Sequence, residues 1–376
     1  MFSLFTQIEA VDLPYEIIMD IFSRLPARLI FQCRHISATL QTLTSSQSFV
    51  NMHLDRATLV IAIHRRPFRI SYSSQNGIYK DKVLMYFIDD KNKEIVPKSM
   101  HISFSYTGYS MLFLYGSYNG LLLFENSVIY ILWNPVTEEQ TIVKKPSTVS
   151  TRGFFFDPKT REYKVLYVEL LLGLSFQFTL YSLATRCSGK IAKCSHPPWV
   201  KAPVILNGAL HWVVDRFYYE HLYRRSLLFS ESILLFDMNT ETIRTMARPG
   251  DQYGTRVDNT YVHLLKKEGS LCFCDTSSYP SMNFWVLEDY AEEVWIKTHA
   301  INLEPLRPCS SDKPYYLRSA PNIENDELLL IWGWFLFRYN LKFNVFKKFK
   351  MGDEEKEGVI FNFVEHRNSL VTLRTD

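Results

Sequence analysis

Residues 118–143 read YNGLLLFENSVIYILWNPVTEEQTIV, and this stretch decides the fold. Asn119 and Gly120 form a polar turn before an apolar run, and Asn-Gly between apolar runs is the strongest short-range signal of a β-hairpin. A second turn follows the next apolar run, where Asn134 can bond to its own backbone and Pro135 pre-sets the bend. The stretch therefore predicts short antiparallel strands joined by tight turns.

Both turn phrases recur along the chain. The first reappears as LNGALHWVV (206–214), KEGSLCFCD (267–275) and, more loosely, ENDELLLIW (324–332). The second reappears as FDPKTREYKVL (156–166), FDMNTETIRTM (236–246) and YNLKFNVFKKF (339–349). Repetition of one hairpin pattern is typical of radial or stacked β units, which favours a propeller. A sandwich of two sheets is the alternative architecture.

The N-terminal part follows a different period. In DLPYEIIMDIFSRLP (12–26), Pro14 falls in the first turn of a predicted helix and Pro26 stops it. The apolar residues of this helix recur at helical spacing: Leu13, Ile17, Ile18, Ile21, Phe22 and Leu25. A second apolar helical face is predicted from Leu29, Cys33, Ile36, Leu40 and Leu43. Helices this short bury little surface alone, so we expect this part to need a partner, which is either its own chain or another protein.

Composition excludes several classes of function. The chain has 376 residues, 47% of them hydrophobic, and a formal net charge of +3, which is too small for a nucleic-acid footprint. The apolar stretch 165–183 contains Glu169, which is costly in hydrocarbon, so buried strands are predicted there rather than a membrane span. The N-terminus lacks the pattern of a signal peptide. We therefore expect a soluble protein with no nucleic-acid and no membrane partner.

The sequence predicts no catalytic, cofactor or metal site. It holds no phosphate-binding Gly-rich loop, no G-x-S-x-G elbow and no H-E-x-x-H pair. His211 lies in an apolar strand, which indicates a hydrogen-bonded core residue. The aspartates Asp157, Asp237 and Asp275 are expected to cap turns. The six irregularly spaced cysteines are expected to be reduced thiols without a metal: Cys33, Cys187, Cys194, Cys272, Cys274 and Cys309.

Two runs at the N-terminus carry a family resemblance. LPYEIIMDIFSRLPARLIFQCRHI (13–36) and SSQSFVNMHLDRA (45–57) resemble the F-box of plant F-box proteins. Downstream, segments such as LWNPVTEE (132–139), GFFFDPKTREYKVL (153–166) and VILNGALHW (204–212) resemble, in order, the F-box-associated domain joined to it. That group of kelch-related domains includes the S-locus F-box proteins of pollen.

The resemblance implies an α+β fold, with a small helical F-box over 1–55 and a large all-β, propeller-like F-box-associated domain over 56–376. In that family the F-box binds a Skp-type adaptor and, through it, a cullin, while the β domain holds a target protein for ubiquitylation. The chain would then be a non-catalytic substrate receptor of a Skp–cullin–F-box ligase in the cytoplasm, the nucleus or both. The residues predicted to form or support the adaptor-docking surface are Leu13, Pro14, Ile17, Ile18, Ile21, Leu25, Pro26 and Leu29.

One segment departs from the family pattern. Relatives carry Cys-Lys-x-Trp in the second F-box helix, where this chain reads Ser37, Ala38, Thr39 and Leu40. Burial of Leu in place of Trp loses on the order of 1 kcal/mol, so weaker adaptor binding is expected. The alternative function is a propeller-like interaction module whose F-box no longer docks. A third hypothesis, an enzyme with a site at the propeller mouth, would require convergent carboxylates in a deep pocket.

Overall fold

The computed structural model describes residues 14–67, 74–75, 78–89, 95–105, 112–146, 149–250, 259–306, 318–319, 322–323, 326–332, 335–349 and 359–373. Within these residues the chain begins with four short helices, and six sheets follow. The fold is therefore the predicted one, N-terminal helices followed by a mainly-β domain. That domain is a six-bladed propeller rather than a two-sheet sandwich.

The four N-terminal helices are α1 (Tyr15–Ser23), α2 (Ala27–Cys33), α3 (Ala38–Ser45) and α4 (Gln47–Arg56). Pro14 and Pro26 directly precede α1 and α2, where a residue without an N–H leaves no helical hydrogen bond unmade. Ser46 caps α4, since its hydroxyl accepts from the Phe49 N–H at 3.4 Å.

The predicted continuous helical face from Leu29 to Leu43 is wrong. The helix ends at Cys33, and a new one begins at Ala38 after an extended Ser37 (φ −149°, ψ 136°). Ile36 lies in this connection and is 77% exposed. Serine favours the position before a helix, and here that local preference outweighs an apolar spacing that continues across the break.

The strands are distributed over five blades in chain order and a sixth, closing blade. Blade 1 contains β5 (Phe113–Tyr118), β6 (Leu121–Glu125), β7 (Ile129–Trp133) and β8 (Gln140–Lys144). Blade 2 contains β9 (Ser150–Asp157), β10 (Glu162–Leu171), β11 (Ser175–Ser182) and β12 (Ser188–Cys194). Blade 3 contains β13 (Val204–Leu206), β14 (Ala209–Val213), β15 (Ile233–Asp237) and β16 (Ile243–Met246).

Blade 4 and the closing blade have five strands each, whereas blade 5 has four. Blade 4 contains β17 (Val262–Lys267), β18 (Ser270–Asp275), β19 (Ser281–Asp289), β20 (Val294–Asn302) and β22 (Asn322–Ile323). Blade 5 contains β21 (Arg318–Ser319), β23 (Glu327–Trp332), β24 (Phe335–Asn340) and β25 (Val345–Phe349). The closing blade contains β1 (Leu59–Pro67), β2 (Ser74–Gln75), β3 (Ile78–Asp89), β4 (Ile95–Ser105) and β26 (Val359–Arg367).

The closing blade joins the two ends of the β domain. β26 pairs antiparallel with β1, in a register that runs from Leu59 opposite Arg367 to Pro67 opposite Val359. The first and last long strands therefore share one sheet, and backbone hydrogen bonds close the ring of blades.

The order of strands gives the propeller two distinct faces. In blades 1 to 5 the first–second and third–fourth connections lie at one end, which we call the helix-side face. The second–third connections lie at the other end, which we call the far face. The N-terminal helices pack on the helix-side face, where Val136 of the β7–β8 turn contacts their core.

The predicted turns occur where their chemistry requires them. Asn119 and Gly120 both have positive φ (47° and 82°), as a two-residue hairpin turn needs, and a Cβ on Gly120 would lie 1.9 Å from Ser369 Oγ. At the second kind of turn, the Asp157 carboxylate accepts from the Lys159 N–H at 2.9 Å. Asp237 accepts from the Asn239 N–H at 2.8 Å, so both aspartates cap turns as predicted.

Residues 165–183 form most of the hairpin of β10 and β11 rather than a helix. In the part of the chain that the structure describes, no helix has the length and apolar character to span a membrane. One further helix, α5 (Arg216–Tyr223), lies in the β14–β15 connection and was not predicted. Its signals are the Asp215 cap on the Tyr218 N–H (2.9 Å) and the Arg216–Glu220 pair (2.8 Å).

Candidate functional site

The first two helices present an exposed row of large apolar side chains, which we call the apolar stripe. The stripe consists of Ile17 (47% exposed), Ile21 (47%), Leu25 (36%) and Leu29 (49%). Ile17 and Ile21 are four residues apart in α1, so they share one side of that helix. Leu25 follows α1, and Leu29 lies in the first turn of α2. Single exposed leucines are common, but a row of them on one small domain indicates a contact surface.

The opposite side of these helices is a packed core, which we call the helix cluster. Its buried members are Met19, Ala27, Ile30, Leu43, Phe49, Val50 and Leu370. Ile30 and Phe49 are fully buried, so the cluster fixes α2 against α4. Because the helices have already filled this core, the apolar stripe on their outer side is not needed to hold them together.

Polar contacts fix α1 and α2 against α3 and α4. Arg56 of α4 pairs with Asp20 of α1 (Nη2 to Oδ1, 2.7 Å), and hydrogen bonds from Arg24 and Arg56 lower the pKa of the Asp20 carboxyl. His53 Nε2 donates to the Leu25 carbonyl at 3.0 Å. Arg34 donates to the Thr44 carbonyl at 2.6 Å, which ties α2 to α3. These contacts from α3 and α4 therefore fix the backbone of the two helices that carry the stripe.

The predicted adaptor-docking residues fall into three groups. Pro14 and Pro26 are exposed, as are the four residues of the stripe. Ile18 is only partly exposed, because it packs against the helix cluster. Leu13 lies outside the described residues. The structure thus brings six of the predicted residues to the surface of the first two helices, and their docking role stays a prediction.

Two exposed apolar residues of the helical part were not predicted to dock. Tyr15 is 54% exposed at the start of α1, and Ile36 is 77% exposed between α2 and α3. Ile36 was assigned to a helical face from its spacing, and only the break before α3 leaves it outside. Tyr15 directly follows Pro14, a predicted docking residue. This proximity in sequence is the signal that could have placed Tyr15 in the predicted docking surface.

The departure from the family pattern lies in α3. Leu40 is partly buried and packs against the helix cluster. The side chain at this position therefore contributes to the packing of the helices. A change of size here affects how α3 is held, and it does not remove a residue of the apolar stripe.

A C-terminal segment, residues 368–373, holds the helices against the propeller. Leu370 is fully buried in the helix cluster, and Val371 packs beside it. The Asn134 side chain of blade 1 donates to the carbonyls of Ser369 (3.1 Å) and Val371 (2.7 Å). Arg367 also donates to the Leu54 carbonyl of α4 at 3.4 Å. The helices and blade 1 are therefore joined through one shared segment.

His211, Cys272 and Cys274, which are residue types that can serve catalysis or metal binding, are buried in the β domain. His211 is fully buried; its Nδ1 donates to the Val204 carbonyl at 3.2 Å, and its Nε2 accepts from the Tyr290 hydroxyl at 2.7 Å. Cys272 and Cys274 are buried in one core cluster, and burial raises the pKa of the Cys272 thiol to about 12. Among the described residues, no His, Cys, Asp and Glu group could hold a metal ion. Cys309 lies outside the described residues, so the prediction for all six thiols stays open.

Comparison with known proteins gives matches over nearly the whole chain. Residues 11–51 match the F-box domain, and residues 70–374 match the F-box associated beta propeller domain. The Arabidopsis thaliana F-box protein At5g65850 is 26% identical over 308 residues, covering 77% of this chain and 71% of the relative. F-box protein At3g07870 of the same plant is 26% identical over 382 residues, covering 85% and 82%. A third Arabidopsis F-box relative, At1g33530, is 25% identical over 300 residues, and the match spans 62% of its length.

Proposed function

Because this chain belongs to the family of F-box proteins with an F-box associated β-propeller domain, we propose that it is a substrate receptor of a Skp–cullin–F-box ubiquitin ligase. Residues 1–55 bind a Skp-type adaptor, which brings the cullin. Residues 56–376 hold the target protein. The receptor itself makes and breaks no bond; it raises the concentration of the target near the charged ubiquitin-conjugating enzyme.

The observation that carries this proposal is the apolar stripe of Ile17, Ile21, Leu25 and Leu29. Each of these side chains is between 36% and 49% exposed while the helices behind it are already packed. Covering the remaining surface of one such side chain contributes about 1 kcal/mol, so the four together supply several kcal/mol toward association. Recognition by exposed anchors on short helices is a common mode of protein docking.

The attachment of the helices to the propeller supports the same role. A receptor that presents a target to a distant enzyme gains from a fixed distance between its two binding regions. Here the segment 368–373 packs against the helices and hydrogen-bonds to blade 1. The two regions are therefore held in one orientation without a free linker between them.

A second candidate is an interaction protein whose F-box has lost adaptor binding. The observation in its favour is Leu40, at the position where the family resemblance implies Trp. Leu40 packs against the helix cluster, so this candidate predicts that the helices are less firmly held and the stripe is misplaced. Localisation in the cytoplasm or nucleus, and any likeness in biological role to S-locus F-box proteins, are further proposals that follow from the family alone.

Co-purification separates the two candidates. The full chain is co-expressed with a Skp-type adaptor and a cullin, and the complex is analysed by size-exclusion chromatography. We expect the three proteins to elute together, and Leu29→Glu to release the chain because it places a charge in the apolar contact. The matched control is Leu172→Glu, which changes an exposed leucine of the propeller. Elution of a folded wild-type chain apart from the adaptor would favour the second candidate.

A further inference from the structure

The tip of the β10–β11 hairpin carries apolar residues where turns are normally polar. Leu170 and Leu174 are each 44% exposed, and Leu172 is completely exposed. Leu174 has φ of 60°, a conformation that a branched apolar residue rarely adopts. Turn positions of this kind usually hold Gly, Asn or Asp. Leucines that break this local rule without packing inside the protein indicate a functional surface.

Helix α5 extends this apolar tip into a larger surface. Phe217 is 81% exposed and Tyr218 is 37% exposed. The ring of Tyr218 lies 5.8 Å from that of Phe176 in β11, and the Tyr223 hydroxyl donates to the Leu174 carbonyl. The helix is anchored from below by Tyr219, which is fully buried. We call Leu170, Leu172, Leu174, Phe217 and Tyr218 the hairpin–helix patch.

The patch lies on the far face of the propeller. Both the β10–β11 turn and the β14–β15 connection that contains α5 are second–third connections of their blades. The N-terminal helices contact the opposite end of the blades, through Val136 and Leu370. A molecule bound at the patch therefore does not compete with a protein bound at the apolar stripe.

Positive charge borders the patch. Arg224 and Arg225 follow α5 and are exposed, and Arg225 lies 5.5 Å and 6.0 Å from the ring centres of Tyr219 and Tyr223. Within the described part of the chain, neither arginine forms an ion pair with a carboxylate.

Two carboxylates close in sequence to the patch do not cancel this charge. Glu220 pairs with Arg216 at 2.8 Å. Glu169 alternates with Leu170 along β10, so it points to the other side of that sheet. An exposed guanidinium with no carboxylate partner favours an anionic group on a ligand.

We propose that the hairpin–helix patch binds an acidic segment of the target protein that also carries apolar side chains. This inference rests on the proposed function, because it assigns the segment to the protein held for ubiquitylation. Apolar side chains of the segment cover Leu172 and Phe217, and its carboxylates pair with Arg224 and Arg225. Aromatic and arginine side chains around a small apolar centre are the usual composition of strong contact sites.

The test uses the purified full chain and labelled short peptides of defined composition. One peptide combines Asp and Glu with Leu and Phe, a second replaces the acids by Lys, and a third replaces Leu and Phe by Ser. Fluorescence anisotropy should show binding of the first peptide, with the other two about tenfold weaker or more. Leu172→Ser and Arg225→Ala should each weaken the first peptide about tenfold. The control is Phe343→Ser, which changes a 68% exposed residue in the β24–β25 turn of the helix-side face.

Several results would overturn the inference. Equal binding of the acidic and basic peptides, or no effect of Leu172→Ser in a chain with unchanged melting temperature, would exclude the proposed ligand. Competition by anionic lipid vesicles would assign the patch to a membrane. A dimer in sedimentation that Leu172→Ser dissociates would assign it to a second copy of the chain. Adaptor co-purification is measured on the same samples, so loss of adaptor binding with intact peptide binding counts against the proposed function and not against the patch.

Discussion

His211 is neutral in the folded protein because both ring nitrogens are committed to hydrogen bonds and the side chain is fully buried. Burial lowers the pKa of His211 to about 4, from an ordinary value of 6.5. Burial likewise lowers the pKa of His366 to about 3 and lowers the pKa of His53. Protonation of these rings therefore favours the unfolded chain. The contribution of these histidines to stability should be constant above pH 6.5 and should fall as the pH drops below it.

Acid destabilisation is the prediction that follows. His211 alone should remove about 1.4 kcal/mol of unfolding free energy per pH unit, and about 3 kcal/mol by the time the pH reaches its folded pKa. Urea denaturation near pH 7 and near pH 5 measures this dependence. His211→Gln should reduce the pH slope, since Gln does not titrate. Equal slopes in wild type and His211→Gln would contradict the assignment.

At the scale of single elements, the repeated Asn and Asp turns do not all have the same importance. Among the residues that the structure describes, the hydrogen bonds of the Asn340 side chain stay within its own turn, where it accepts from the N–H groups of Lys342 (3.0 Å) and Phe343 (2.9 Å). Asn134 caps its turn in the same way through Val136 (2.8 Å). It also donates to the segment 368–373 and is fully buried. Asn134 and Asn340 occupy the same turn position in their blades, and Asn134 has a second role, which is to bind the C-terminal segment.

The two turns give a matched pair of variants. Asn134→Ala should lower the unfolding free energy by about 3 kcal/mol, because it leaves buried carbonyls and an N–H without partners. Asn340→Ala should lower it by about 1 kcal/mol, because water replaces the lost bonds at an exposed turn. Chemical denaturation of both variants under one set of conditions provides the comparison. Equal losses would mean that the contacts of Asn134 with the C-terminal segment contribute nothing.

Sequence patterns predicted the elements whose chemistry is local. The Asn119-Gly120 turn and the Asp157 cap were predicted because they depend on residues that are neighbours in sequence. The break at Ser37 was missed because apolar spacing continued across it. The sequence does not predict helix α5, because its aromatic residues fit a strand pattern as well as a helix. The apolar stripe could be proposed from spacing, but which side of α1 is exposed depends on the tertiary core.

At the scale of the whole molecule, the helices and the propeller are joined by contacts between residues that are far apart in sequence. The bond from Asn134 to the Val371 carbonyl spans 237 residues, and Leu370 is buried among residues of α1, α2 and α4. No local pattern predicts such contacts. The segment 368–373 therefore has a role that only the structure reveals, as the attachment of the N-terminal helices to the ring.

A variant of this segment should loosen the helices selectively. Leu370→Ala leaves a cavity in the helix cluster and should cost about 3 kcal/mol. In hydrogen exchange, the amides of α1 to α4 should lose more protection than those of the blades. The control is Leu341→Ala, which creates a similar cavity in a cluster of blades 4 and 5. The attachment role fails if the helices lose the same protection in both variants.

The central claim is that the apolar stripe docks a Skp-type adaptor. Titration calorimetry of the full chain with a purified adaptor tests it most directly. We predict that Ile21→Ala weakens binding by about 2 kcal/mol, or roughly 30-fold, because it loses covered apolar surface and also leaves a cavity in the contact. The melting temperature should be unchanged. Leu172→Ala, at an equally apolar but distant position, should bind as the wild type does. Unchanged adaptor affinity in Ile21→Ala, together with early melting of the protein, would show that the stripe belongs to the core and would contradict the claim.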